Sequence, residues 1–100
     1  MSRTLEIREA AEQEFNDAAD WYFIEDAMVS DKFVIAIETT LAKINRNPDA
    51  YPVVFGNEIR RAVVNKFPFS IYFMVDDEFV SILSIFHNSR NPLIWRGRVN

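Results

Sequence analysis

At 100 residues, with 49% hydrophobic and 26% charged side chains, the chain has enough material for one core, so a single domain is expected to carry both core and function. It has no cysteine, which excludes disulfide frameworks, thiolate metal sites and a cysteine nucleophile, and no apolar run reaches the roughly 18 residues of a membrane span. The net charge of −4 opposes general nucleic-acid binding, but it is unevenly spread: residues 1–50 hold five basic and eleven acidic side chains, residues 51–100 six and four, so an anionic partner belongs to the second half.

Arg3 to Arg8 alternates, with Leu5 and Ile7 on one face, and predicts a short first strand. The stretch before it lacks the continuous apolar segment of a secretory signal, so a cytoplasmic protein is expected. From Glu9 the period becomes helical. Ala11, Phe15, Ala18, Ala19 and Tyr22 share a stripe, Glu9 and Glu12 suit the positive end of the dipole, and the helix should end near Glu25. Trp21, Tyr22 and Phe23 are consecutive, so one stripe cannot bury all three and some aromatic surface is left over. The glutamates Glu9, Glu12 and Glu14 read as a solvated face.

Asp26 or Ser30 suits the cap of a second helix, in which Phe33, Ile37, Leu41 and Ile44 recur at helical spacing until Asn47-Pro48-Asp49 stops it. So short a connection predicts an antiparallel helical hairpin that needs a sheet to cover its stripes. Residues 48–57, with Pro48, Pro52 and Gly56, predict the one long loop. Three strands should follow: Ile59 to Val64, Phe69 to Val75, and, after the turn Asp76-Asp77-Glu78, Phe79 to Phe86, which is apolar on both faces and therefore central. Asn91-Pro92 ends pairing, and Leu93-Ile94-Trp95 predicts a short turn or helix folding back on the sheet. The expected fold class is α+β: an N-terminal strand, a helical hairpin and a three-stranded antiparallel meander in one sheet packed on the helices.

The candidate site groups are Arg60, Arg61, Lys66, His87, Arg90, Trp95, Arg96 and Arg98. Arg60 and Arg61 are neighbours on a strand, so they point to opposite faces, and the one on an open sheet face can contact an anion or merely keep an edge soluble. His87 ends the apolar strand and is either a general acid or base or a polar strand terminator; no partner for it is evident. Trp95 beside Arg96 and Arg98 either anchors a partner or closes the core. With one histidine and no cysteine, a metal site is not expected, nor is a cofactor, since Gly56 and Gly97 alone cannot build a phosphate loop.

Taken together, Ile59-Arg60-Arg61, Phe67-Pro68-Phe69-Ser70-Ile71-Tyr72, Val75-Asp76-Asp77, Ile82 to Ile85 and His87-Asn88-Ser89-Arg90-Asn91-Pro92-Leu93-Ile94-Trp95 resemble the signature of RelE/ParE-superfamily toxins of type II toxin–antitoxin systems, in the ParE-like branch of plasmid stabilisation proteins. The resemblance implies a small α+β toxin neutralised by a ParD-like antitoxin in a higher-order complex. It also implies one of two targets: DNA gyrase for ParE-like members, or messenger RNA on the ribosome for RelE-like nucleases. The nuclease branch places an arginine where this chain has Ser70 and a tyrosine near Trp95, which has no ionisable hydroxyl. Direct nucleic-acid binding is expected only on the RelE-like reading, whose catalytic set would be Arg61, His87 and Arg90. On the favoured ParE-like reading Arg60, Arg61, Arg90, Trp95, Arg96 and Arg98 are partner-binding determinants and the chain is not an enzyme. A non-toxic binding module on the same fold remains a third reading.

Overall fold

The computed structural model describes residues 3–91 and Arg96. The elements run β1 (Thr4–Ile7), α1 (Glu9–Glu25), α2 (Ala27–Arg46), a short 3-10 turn (Pro48–Ala50), β2 (Val53–Phe55), β3 (Ile59–Val63), β4 (Phe69–Val75) and β5 (Phe79–His87). This is the expected α+β arrangement, with strand order β1-β5-β4-β3-β2. The meander β3-β4-β5 is antiparallel, while β1 pairs with β5 in parallel. Strands consecutive in sequence, β1 and β2, therefore form opposite edges, and the helical hairpin carries the chain across the sheet between them.

Asp26 ends α1 and caps α2, its carboxylate accepting from the Met28 N–H at 2.9 Å. Ser30, the alternative cap, instead donates its hydroxyl to the Ala19 carbonyl at 2.8 Å and ties the two helices together. The α1 stripe packs as its spacing requires: Ala11 is fully buried, and Phe15, Ala18, Ala19 and Tyr22 lie against the core. From α2, Phe33, Ile37, Leu41 and Ile44 join it, meeting Ala62, Ile71, Phe73, Val80, Ile82 and Ile85 from the sheet. Tyr22 is the inward member of its aromatic run, within 5.0 Å of the Phe33 ring centroid, whereas Trp21 and Phe23 are 60% and 62% exposed.

Three expectations are corrected. Residues 48–57 are not one loop: Val53–Phe55 is a fifth, edge strand pairing with β3 through a register shift. Three residues are too few to show alternation, although two valines and a phenylalanine are strong strand formers. Second, β5 includes His87 rather than stopping before it. Third, Glu14 is not simply solvated. β1 pairs with β5 only as far as Ile82, and among the described residues no strand flanks that edge of β5 beyond this point. The Glu14 carboxylate fills the gap, accepting from the Ile85 N–H at 3.2 Å and the Ser84 hydroxyl at 2.9 Å. A side chain thus stands in for a missing strand.

A second apolar cluster, Ile59, Tyr72, Leu83 and Phe86, lies on the sheet face away from the helices, with Phe55 and Met74 against it. A bulge creates it. Tyr72 is opposite Ser84 but Phe73 is opposite Ile82, so Leu83 is an extra residue and shifts the alternation of β5. Ile82 and Ile85 then both face the helices while Leu83 and Phe86 face away.

Candidate functional site

The alternation of β3 assigns each arginine a face. Ala62 belongs to the helix-side core and Ile59 to the cluster opposite, so Arg60 points toward the helices and Arg61 away from them. Arg60 is taken up by the chain itself: its guanidinium donates to the Tyr51 and Asp49 carbonyls and lies 3.8 Å from the Asp49 carboxylate. It anchors the 3-10 turn to the sheet, and the residue expected to face a partner is largely occupied.

Arg61 is held differently. Its Nε donates to the Ser70 hydroxyl at 3.0 Å, and that hydroxyl donates to Asn88 Oδ1 at 2.7 Å. Ser70 is fully buried, so its position is set by packing, and the relay fixes the half-buried guanidinium by one edge. Ser70 is opposite Phe86 in the β4–β5 register, and the Arg90 guanidinium lies 5.3 Å from the centre of the Phe86 ring. Arg96 lies 4.7 Å from the centre of the Phe55 ring. Arg61, Arg90 and Arg96 are therefore brought to one face of the sheet, beside the buried Tyr72 and Phe86 and the partly buried Phe55. Among the described residues neither Arg61 nor Arg90 has a carboxylate within ion-pair distance.

His87 is on the other face. It is opposite Phe69, whose ring centroid is 5.1 Å from the imidazole, and Phe69 belongs to the helix-side core. The His87 Nδ1 accepts from the Ser89 N–H at 3.1 Å and contacts the Ser89 hydroxyl at 2.7 Å. A backbone donor to Nδ1 assigns the neutral ring's proton to Nε2. The sheet consequently separates the imidazole from Arg61, and the nuclease set Arg61, His87 and Arg90 does not converge. Lys66 sits in the β3–β4 turn with a left-handed φ of 70° and is exposed. Trp95 and Arg98, with the expected turn at Leu93 to Trp95, lie outside the described residues.

A concavity of about 680 Å³ runs between α1 and the edge of β5. Trp21, Tyr22, Phe69 and Ile85 supply its apolar lining, with Glu14 and Asp17 on the helix side and His87 and Arg90 at the strand side. Burial against these rings pushes the Tyr22 phenol above its ordinary value of 10.0, so it stays protonated in the folded chain. No group of three or more His, Cys, Asp or Glu able to hold a metal ion occurs among the described residues. Nor is any described helix long and apolar enough to cross a membrane.

The sequence names Arg61 and Arg90 as candidates, but not Ser70 and Asn88, which hold Arg61, nor Glu14. Ser70 carried a signal, being the one polar residue within the apolar run Phe67 to Val75. Asn88 carried none, since its role depends on strands 18 positions apart being neighbours.

Comparison with known proteins agrees with this architecture. No curated protein matches the chain. A solved structure described as the chromosomal ParDE TA system from P. aeruginosa is similar, with a TM-score of 0.76, 18% identity, and coverage of 86% of this chain and 96% of that one. At that identity the likeness concerns the fold. The family described as ParE toxin of type II toxin-antitoxin system, parDE, matches residues 5–92. With its helical hairpin on a mixed sheet and nearly all of its length matched, the chain belongs to the ParE toxin family of type II toxin–antitoxin systems.

Proposed function

We propose that this toxin acts in the cytoplasm by inhibiting DNA gyrase, and that a cognate ParD-like antitoxin neutralises it within a higher-order complex. The family supports the first part, and the similarity to one half of a two-component ParDE system supports the second. The observation that carries a protein target over RNA is the state of Ser70. Where the nuclease branch has an arginine, this chain has a buried hydroxyl that engages Arg61. RNA cleavage requires an acid and a base beside a cationic phosphorane site. Here His87 is across the sheet from Arg61, and Tyr72, the nearest phenol, is 9% exposed.

The test is to induce the chain without its antitoxin and follow DNA-damage signalling together with transcript integrity. Gyrase inhibition predicts growth arrest and a damage response while transcripts remain whole. Prompt cleavage of transcripts on ribosomes would refute this reading, and unimpeded growth would identify a binding module without toxicity.

A further inference from the structure

We infer that the tip of the helical hairpin, where Trp21, Phe23, Ile24 and Met28 stand in solvent among acidic side chains, is a docking surface for a basic amphipathic segment of a protein partner. This rests on the reading that the chain works through protein partners, and it adds a surface and the chemistry that the surface selects.

Helix α1 spends only one of its apolar stripes on the core. Ala11, Phe15, Ala18, Ala19 and Tyr22 face inward. Asp17, Trp21 and Ile24 follow one another at spacings of four and three residues, which places them on a second stripe beside the first. After the break at Asp26, α2 begins at once and adds Met28 at its first turn, while Phe23 occupies the other flank of Tyr22. Trp21, Phe23, Ile24 and Met28 are 60%, 62%, 82% and 68% exposed. One exposed apolar side chain is ordinary, but four at a single hairpin tip make a patch of the kind that marks an interaction site. The indole also has a fixed neighbour: it stands edge-on to the Tyr22 ring at 5.1 Å, and Tyr22 packs on the buried Phe33.

The rim of the patch decides the partner. Asp17 and Glu25 lie one helical turn from Trp21, Asp20 one turn from Ile24, and Asp31 one turn from Met28; all four are exposed. From Glu9 to Asp31 the sequence has no lysine or arginine. A second copy would set these carboxylates against their equals, and like charges across an interface oppose association. Anionic lipid and nucleic acid are repelled in the same way, since helices that lie on membranes carry lysine and arginine where this tip carries aspartate and glutamate. A segment that is apolar on one face and basic on its flanks meets both requirements. Its apolar side chains cover Trp21, Ile24 and Met28, and its cations reach the carboxylates or the face of the indole.

The experiment follows the Trp21 indole Nε1–H resonance of the full chain by ¹⁵N nuclear magnetic resonance, assigned with Trp21→Phe. The probes are a blocked peptide of leucine and lysine at helical spacing, the same pattern with serine for leucine, and the same pattern with glutamate for lysine. The leucine–lysine peptide should shift the signal saturably, and each of the others should bind about tenfold more weakly. Trp21→Ala, read from the backbone amides of α1, should weaken leucine–lysine binding about tenfold. Asp17→Asn combined with Asp20→Asn should weaken it about fivefold. Val63→Thr, at an exposed apolar position of the sheet, should leave it unchanged; the backbone spectrum reports whether each variant is folded. An indole signal indifferent to the leucine–lysine peptide, full affinity in Trp21→Ala, or equal binding of the serine–lysine or leucine–glutamate peptide would overturn the surface. Indole lines that broaden with protein concentration in the absence of peptide would also overturn it, by assigning the patch to a second copy. The assay contains no gyrase, so its failure leaves gyrase inhibition to its own test.

Discussion

Glu14 shows how one side chain can complete a sheet. Where β1 gives out, its carboxylate satisfies the Ile85 N–H and the fully buried Ser84 hydroxyl, two donors with no other strand beside them among the described residues. A buried donor left unpaired costs about 1–3 kcal/mol. Glu14→Ala should therefore destabilise the fold by about 2 kcal/mol, with Glu14→Gln milder because an amide oxygen can still accept; urea unfolding of the two variants measures both. At this scale the sequence was only partly legible. Periodicity identified Arg61 as facing away from its neighbour, and correctly so, but not that Arg60 would be drawn to the Tyr51 and Asp49 carbonyls. Glu14 has the appearance of any polar residue in an acidic helix, because its partners lie 70 and 71 positions away. Contacts between distant segments leave no local pattern to read.

Among the elements, the helices were the most legible and the edges of the sheet the least. Two stripes of apolar residues at helical spacing specify the hairpin and which side it buries, and Asp26 supplies its break. The single-residue cap is open to test: Asp26→Ala should cost about 1 kcal/mol, seen as a lowered midpoint of thermal unfolding. The β4–β5 turn is built on a similar device. The Asp76 carboxylate accepts from the Phe79 N–H at 2.7 Å and the Glu78 N–H at 2.8 Å, and these bonds, with Arg3 nearby, hold its pKa below the ordinary 3.8. A folded-state pKa below the unfolded value means that the unfolded chain takes up the proton first. The stabilisation is then complete above the ordinary value and is lost as the pH falls through the lowered one. Denaturant titrations of the parent chain and Asp76→Ala should differ at neutral pH and converge in acid; a gap that persists after protonation would contradict the carboxylate's role. Of the edge strands, β1 was legible from its alternation, whereas β2, with three residues, is shorter than the period needs to declare itself; the parallel pairing of β1 with β5 depends on the whole chain.

At the scale of the molecule, the division of charge along the sequence becomes a division in space. The acidic first half supplies both helices, and the basic second half supplies most of the sheet, whose outer face gathers Arg61, Arg90 and Arg96 around aromatic rings. Among the described residues, His87 falls on the opposite side of the sheet from Arg61. The proposal that this toxin works on a protein and not on RNA is open to a test by supercoiling of relaxed plasmid with purified gyrase in the presence of the purified chain. Dose-dependent loss of supercoiling is expected, with messenger RNA on translating ribosomes left intact by the same preparation. Undiminished supercoiling together with cut messenger RNA would contradict it.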